Sequence, residues 1–282
     1  MLRLAVTTNA QTYERMRDPL ARRDIQVDYV QPKERIIDLQ NNPFEKYDVG
    51  FVYPSRFPEG GVVDASLDVP WVNDRGAICR SRHKAATYAR LQRAGIEIPR
   101  TVMASSPVDR AELTDAFESF DRPVVVKPNS ATRGAGVTKI HDRDSFYGVV
   151  DYLTLLHEEP TTADKSFLIQ EYLPEATDYR AMVIDGTYAG AVERAHPDGE
   201  RWKHNVHQGA RASATSLDAH QQRLVERVAT TLDIPFLGVD LLESEGTTYV
   251  IETNARPTID DPEKYETDFY DELAALIRAQ RR

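Results

Sequence analysis

The chain predicts a mixed α/β fold built from several compact units, and three observations carry that expectation. Over residues 1–75, short apolar runs alternate with helix-like stretches, the pattern of a small parallel α/β unit. Residues 179–184 and 188–194 are strand-like and flank Asp185-Gly186, a pair that favours a tight antiparallel hairpin. The run from Phe236 to Asn254 reads as a second hairpin, with acidic residues set among apolar ones. A chain of 282 residues accommodates one to three such units.

In the first unit, residues 2–7, 27–30, 49–53 and 69–72 read as strands and 12–23 as a helix, with Pro19 marking its end. Residues 53–61 (Tyr-Pro-Ser-Arg-Phe-Pro-Glu-Gly-Gly) form the most turn-rich loop, where a parallel sheet presents the carboxyl ends of its strands. A single helix is expected over 81–94, closed by Gly95. The second unit reads as strand 101–104, helix 110–120, strands 124–127 and 136–140, helix 145–156 and strand 167–171. The third holds the Asp-Gly hairpin, a helix over 217–232, the acidic hairpin and a final helix over 269–281. The expected divisions fall at 1–80, 81–173 and 174–282.

Composition narrows the function classes. The chain is 41% hydrophobic and 28% charged, ordinary for a soluble globular enzyme, and no apolar run approaches the roughly 20 residues of a membrane helix. Its first residues do not read as a signal peptide. Cys79 is the only cysteine, which excludes an internal disulfide and a cysteine metal cluster. These features fit a cytoplasmic protein. The net charge is −10, and only eight of the 35 basic residues are Lys. An acidic surface that prefers Arg to Lys suits a halophilic protein kept soluble in high salt. It argues against nonspecific nucleic-acid binding, which needs a basic field.

The acidic hairpin carries the strongest chemical signal. Glu252 and Asn254 are two apart on a strand and project to one face. With Glu245-Gly246-Thr247 as a three-residue loop, Asp240 falls opposite Glu252. Two carboxylates and an amide oxygen then share one patch, where like charge and desolvation both oppose ionisation. A hard cation, Mg²⁺ or Mn²⁺, removes that cost. The same residues also read as exposed carboxylates on the wet face of an edge hairpin.

Other segments leave similar pairs of readings open. Lys127 ends the run Val-Val-Val-Lys and precedes a glycine-bearing turn at 129–136, which suits a phosphate or an ordinary hairpin with a snorkelling Lys. It matches neither a Walker loop nor Gly-x-Gly-x-x-Gly. Residues 167–174, Phe-Leu-Ile-Gln-Glu-Tyr-Leu-Pro, fit a hinge that reads an adenine edge, or a plain core strand. Trp202-Lys-His-Asn-Val-His-Gln-Gly209 is too poor in ligands for zinc and better suits an anion. Arg180 and Arg194 offer cationic forks, or ordinary salt bridges. Ser81-x-x-Lys84 lacks the partner motifs of penicillin-binding enzymes and is a coincidence.

Taken in order, these segments resemble the ATP-grasp superfamily, and within it the RimK-like carboxylate–amine (α-L-glutamate) ligases. The residues that carry the likeness are Lys84, Gln92 to Pro99, Val-Val-Val-Lys127, Thr132 to Val137 and Ile-Gln-Glu-Tyr-Leu173. They continue with Asp178-Tyr-Arg180, Val192-Glu-Arg194, Lys203-His-Asn205, Gly-Val-Asp240 and Ile-Glu252-Thr-Asn254-Ala-Arg-Pro. The likeness runs from about 75 to 260 and implies a pre-ATP-grasp α/β domain followed by a two-lobed ATP-grasp domain.

The resemblance also implies roles. Lys84 and Lys127 would hold ATP phosphates, Glu171 and Tyr172 the adenine, and Asp178 would lie near the ribose. Lys203, His204 and Asn205 would contact nucleotide and intermediate, with Arg194 near the γ-phosphate. Asp240, Glu252 and Asn254 would hold Mg²⁺ (or Mn²⁺), two ions in all. The catalytic set would be Arg194, Lys127 and Asn205, with segments 129–136 and 203–209 as lids.

The implied reaction joins a small-molecule, peptide or protein-tail carboxylate to the amine of glutamate or another amino acid, through an acyl phosphate. The implied assembly is a homo-oligomer, with no membrane or nucleic-acid partner. Two positions depart from the RimK-like pattern: Arg256 replaces a small hydroxyl residue, and Gln208 replaces an Arg. The alternatives are a ligase of the D-alanine–D-alanine or carboxylase type, a nucleotide-binding module without turnover, and a metal-binding protein without nucleotide.

Overall fold

In the computed structural model, β1 (Leu2–Val6), β2 (Ile25–Tyr29), β3 (Val49–Val52) and β4 (Trp71–Asn73) form a parallel sheet of order β2-β1-β3-β4. The structure describes residues 1–8, 10–44, 46–131, 134–158, 164–195 and 210–281. From β1 the chain crosses to one side of the sheet and from β3 to the other. The carboxyl ends of β1 and β3 therefore flank a topological switch point, where such sheets open a crevice. All of β3 is buried, which explains its continuous apolar run.

Two helices here differ from expectation. α1 (Ala10–Ala21) runs through Pro19. Proline lacks an amide hydrogen, and the carbonyl it leaves unbonded, that of Arg15, accepts from Tyr270 Oη at 2.9 Å. Residues 53–61 are not wholly a loop, since α2 (Phe57–Leu67) begins within them. Pro58 lies in its first turn, where a missing N–H does no harm. Gly60 packs on Tyr53, and a Cβ there would come within 2.9 Å of the ring.

The expected single helix over 81–94 is two, α3 (Arg75–Arg82) and α4 (Lys84–Arg93), broken at His83. Asn129 fills the break. Its Oδ1 accepts from Ala85 N–H at 2.9 Å and its carbonyl from Lys84 N–H at 3.3 Å, so the loop after Lys127 caps the helix that carries Lys84.

Next come β5 (Thr101–Ser105), α5 (Arg110–Glu118), β6 (Val124–Pro128), β7 (Thr138–Ile140), α6 (Arg143–Glu158) and β8 (Ser166–Glu171). Their strands form an antiparallel sheet of order β5-β8-β6-β7. It has its own core, in which Phe117 and Phe146 stack 4.6 Å apart. The turn before β7 needs glycine: Gly136 has φ +73°, and a Cβ there would sit 2.7 Å from Pro128.

A third, antiparallel sheet has the order β11-β10-β9-β12-β13. Its strands are β9 (Thr177–Ile184), β10 (Thr187–Ala195), β11 (Arg211–Thr215), β12 (Phe236–Ser244) and β13 (Thr247–Asn254). α7 (Ala219–Leu232) starts with a capping box between Asp218 and Gln221, and α8 (Phe269–Ala279) closes the chain.

Both hairpins turn on two residues at positive φ, Asp185-Gly186 and Glu245-Gly246. The acidic hairpin thus lacks the expected three-residue loop. Asp240 still pairs with Glu252, because a bulge follows the Leu241–Val250 pair and leaves Ile251 as the extra residue.

The first and third sheets share cores. Tyr53, Val63 and Trp71 pack with Ala181, Val183 and Leu237, and Val6 and Phe51 with Met182, Phe236 and α8. Asn73 is fully buried between them: its Nδ2 donates to Phe236 O (2.6 Å) and Ala255 O (2.7 Å), and its Oδ1 accepts from Phe236 N–H (3.2 Å). Among the described residues no helix is long and apolar enough to cross a membrane.

Candidate active site

The second and third sheets enclose a cavity of about 480 Å³. The second sheet supplies its cationic roof. Lys127 lies on β6, a strand whose alternate residues enter its own core, and is 6% exposed. Its ammonium donates to Tyr88 Oη and Gln170 Oε1, both at 2.8 Å. Burial pushes Lys127 down to about 8, with Glu252 working against the fall. Lys84, placed by the Asn129 cap, donates to Ala131 O and lies 3.2 Å from Glu252 Oε1. Tyr88, one turn on from Lys84, donates to Ile251 O and is raised by its burial.

The floor is a lattice of buried charge on β9, β10 and β12. Arg180 grips both oxygens of Asp240, at 2.6 and 2.7 Å. Arg194 Nη2 lies 3.2 Å from Asp240 Oδ2, while its Nε and Nη2 donate to Asp178 Oδ1 at 2.8 and 2.5 Å. Asp240 is 1% exposed and Asp178 6%. Burial opposes ionisation of Asp240, yet two guanidiniums overcome it and hold the carboxyl below its usual range. Asp178 must share Arg194, so burial prevails and lifts it to about 7.

Asp240 and Glu252 face each other across β12 and β13, and Asn254 ends β13 opposite Gly238. Asn254 does not line the cavity, but its Nδ2 is buried with no hydrogen-bond partner. With the amide turned over, that position becomes a carbonyl oxygen. Two carboxylates and that oxygen fit a hard cation such as Mg²⁺, whose charge the guanidiniums of Arg180 and Arg194 replace on Asp240 here. No cluster of three or more Asp, Glu, His or Cys suited to a metal occurs among the described residues.

Glu171 and Tyr172 line the far end of the cavity. Glu171 Oε1 accepts from Arg100 N–H at 2.6 Å, and Lys139 Nζ sits 4.6 Å from the Tyr172 ring centroid. Lys203, His204 and Asn205 lie outside the described residues, as does Gln208. The structure therefore brings Lys84, Lys127, Glu171, Tyr172, Asp178, Arg194, Asp240 and Glu252 to one cavity. Sequence reasoning missed Lys139 and Gln170 as cavity residues. The scarcity of Lys was the available signal for Lys139, since a Lys on a short strand of an Arg-rich chain calls for a reason.

A cavity clasped between a small antiparallel sheet and a larger one, with lysines above and carboxylates below, defines the class: this is the ATP-grasp fold. The chain superposes on D-alanine–D-alanine ligase from Bacillus anthracis complexed with ATP, with a TM-score of 0.71 over 100% of this chain and 97% of that one. At 17% identity that likeness is one of fold.

Residues 81–277 match the RimK-like ATP-grasp domain, and the chain belongs to that family. It is 32% identical over 197 residues to a probable α-L-glutamate ligase of Shewanella halifaxensis, covering 69% of this chain and 41% of that protein. It is also 32% identical over 209 residues to a ribosomal protein bS6–L-glutamate ligase of Escherichia coli, covering 73% of this chain and 66% of that protein. The chain thus spans about two fifths to two thirds of the length of these relatives.

Proposed function

We propose that the chain is an ATP-dependent carboxylate–amine ligase and that the cavity between its second and third sheets is the active site. The observation that carries this reading is the meeting of Lys84, Lys127 and Arg194 with Asp240 and Glu252 in one cavity. A carboxylate is a poor acyl donor at neutral pH. Transfer of the ATP γ-phosphoryl group to a carboxylate oxygen gives an acyl phosphate and ADP. An amine then attacks the acyl carbon, the C–O bond to phosphate breaks, and the nitrogen loses a proton to leave an amide and inorganic phosphate.

Such chemistry asks the protein mainly for positioning and charge neutralisation. Lys84 and Lys127 hold phosphate oxygens, and Arg194 meets the γ-phosphate. Glu171 and Tyr172 present their backbone to the adenine. Asp178, gripped by Arg194, is better suited to orienting that guanidinium than to reaching a ribose. Lys203, His204 and Asn205 contact nucleotide and intermediate. Asp240, Glu252 and Asn254 would hold Mg²⁺, or Mn²⁺, which when bound would neutralise charge on the phosphate oxygens. The names of the relatives support glutamate as the amino acid added, to a small molecule or to a peptide or protein tail.

Phosphate release from Mg-ATP in high-salt buffer tests the proposal, with L-glutamate and a panel of carboxylates and amines. Release that depends on one pair, with a product of matching mass, is expected. A second reading, a nucleotide-binding module without turnover, draws on one observation: Arg180 and Arg194 already neutralise Asp240. Tight ATP binding without release for any pair would favour it.

A further inference from the structure

Tyr88 lies where the second and third sheets meet, and its hydroxyl touches both. It stands on α4 one turn beyond Lys84 and is buried, 4% exposed. Its oxygen accepts from the Lys127 ammonium at 2.8 Å, and its hydrogen is donated to Ile251 O. Ile251 is the extra residue of the bulge in β13 and the neighbour of Glu252. A bulge leaves such a residue outside the ladder, and the Tyr88 hydroxyl supplies a partner for its carbonyl.

A second chain of bonds steadies the ammonium from the other side. Gln170 Oε1 accepts from Lys127 at 2.8 Å, and Gln170 Nε2 donates to Thr101 Oγ1 at 2.7 Å. The Thr101 hydroxyl in turn donates to Pro99 O at 2.7 Å. Both chains end on carbonyls, which only accept, so the direction of every bond in them is set. Both acceptors of Lys127 are neutral. They satisfy two of its three N–H groups without cancelling its charge, and leave the third for an anion in the cavity that Lys127 lines. The charges that reach the Lys127–Tyr88 pair are Glu252 on β13, Asp240 on β12 and Lys84 on α4, while Lys139 on β7 lies over the Tyr172 ring. Burial raises the Tyr88 phenol, so the hydroxyl keeps its hydrogen across the range in which Lys127 titrates.

We propose that Tyr88 is a positioning residue for the ligase reaction. Its hydroxyl anchors the Lys127 ammonium to β13, the strand that carries Glu252, and so keeps the phosphate-holding charge of one sheet in register with the cation site of the other. The proposal rests on the ligase reading. Phosphoryl transfer depends on such register, because its catalysis is mostly placement of charge. The tyrosine acts through Lys127 and needs no contact with the nucleotide. β13 is also tied to the chain before β5, by Val250 N–H to Glu97 O at 3.0 Å. Loss of the hydroxyl therefore frees Lys127 without releasing the strand.

The test is carbon-13 NMR of the full chain labelled at lysine Cε, in the parent and in Tyr88→Phe. The chain has only eight lysines, and the signal lost in Lys127→Met is that of Lys127. Its midpoint is expected near pH 8 in the parent. In Tyr88→Phe it should be lower by roughly one pH unit, about what one hydrogen bond to a charged group contributes. A non-hydrolysable ATP analogue with magnesium should then bind the variant about fivefold more weakly at pH 8, where less of its Lys127 is charged. In the Lys127→Met background the same substitution should change that affinity by less than about twofold.

An unmoved Lys127 midpoint would overturn the proposal and leave Tyr88 a packing residue, whatever its effect on stability. So would a fivefold loss that persists in the Lys127→Met background, since Tyr88 would then act by another route. Failure of the parent to bind the ATP analogue would sink the ligase reading instead. The lysine titration needs no nucleotide and would still decide whether Tyr88 holds Lys127.

Discussion

Arg180 holds both oxygens of Asp240, at 2.6 and 2.7 Å, so the carboxylate best placed to bind a cation is already neutralised by the protein itself. A metal ion held there as proposed would compete with this guanidinium for the same lone pairs. Arg180→Gln should therefore tighten Mn²⁺ binding to the nucleotide-free protein by about tenfold, since each tenfold corresponds to only about 1.4 kcal/mol. Electron paramagnetic resonance of free Mn²⁺ measures this directly. Unchanged or weaker binding would mean that Asp240 is not a ligand.

Glu252 and Asp240 should respond differently to loss of charge. Glu252→Gln removes a partner of Lys84 at a partly exposed position, so stability should change by no more than about 1 kcal/mol while phosphate release falls by about a thousandfold. Asp240→Asn leaves Arg180 and Arg194 short of a buried counter-charge and should cost about 3–5 kcal/mol of stability as well as activity. Urea unfolding of the two variants side by side separates the cases. Equal stability losses would contradict the buried lattice.

If Lys127 holds a phosphate as proposed, it should set a pH limit on nucleotide binding. Its value in the fold is about 8, against an ordinary 10.5, and its charged form is the one that attracts phosphate. ATP affinity should be full below pH 8 and fall by up to about tenfold per unit above it. The same shift acts oppositely on the free protein. Between 8 and 10.5 the unfolded chain binds more protons, so this group's contribution to stability rises with pH across that window. Titrations of an ATP analogue from pH 7 to 9.5 should show the bend in the parent and a flat profile in Lys127→Met. A flat profile in the parent would refute the assignment.

Asn73, fully buried, ties β4 to Phe236 at the start of β12 with two hydrogen bonds and to Ala255, just after β13, with a third. Asn73→Ala would leave three backbone groups without partners and should cost about 2–4 kcal/mol, measured as a lowered urea midpoint with an unchanged slope. A loss below about 1 kcal/mol would show that water replaces the amide.

Much of the candidate cavity was legible because its chemistry is local. Lys127, Asp240 and Glu252 each stand out against their own neighbours, and the Asp-Gly pair fixes one hairpin on its own, whereas Lys84 entered only through the family resemblance. What escaped depends on contacts distant in sequence. Nothing near Arg180 reveals that it will grip a residue 60 positions away. The break at His83 follows from Asn129, which caps α4 from another sheet. α2 was hidden by Gly60 and Gly61, turn residues by composition, although Gly60 is small because it lies against Tyr53. The acidic hairpin shows two errors that cancel: a shorter loop and a bulge give the same Asp240–Glu252 pair.

The shared cores of the first and third sheets bear on how this chain can be cut and recombined. The family match begins at residue 81, which invites excision of a minimal catalytic piece. Trp71, Tyr53 and Phe51 lie on the other side of that cut, yet they cover Val183, Leu237 and Phe236. A gene trimmed to 81–277 would present the back of the five-stranded sheet as a bare apolar face, prone to aggregation. A chimaera that exchanges N-terminal segments between relatives has to carry the matching face of β9 and β12 with it. The first 75 residues are upholstery for the back of that sheet, and they travel with it or not at all.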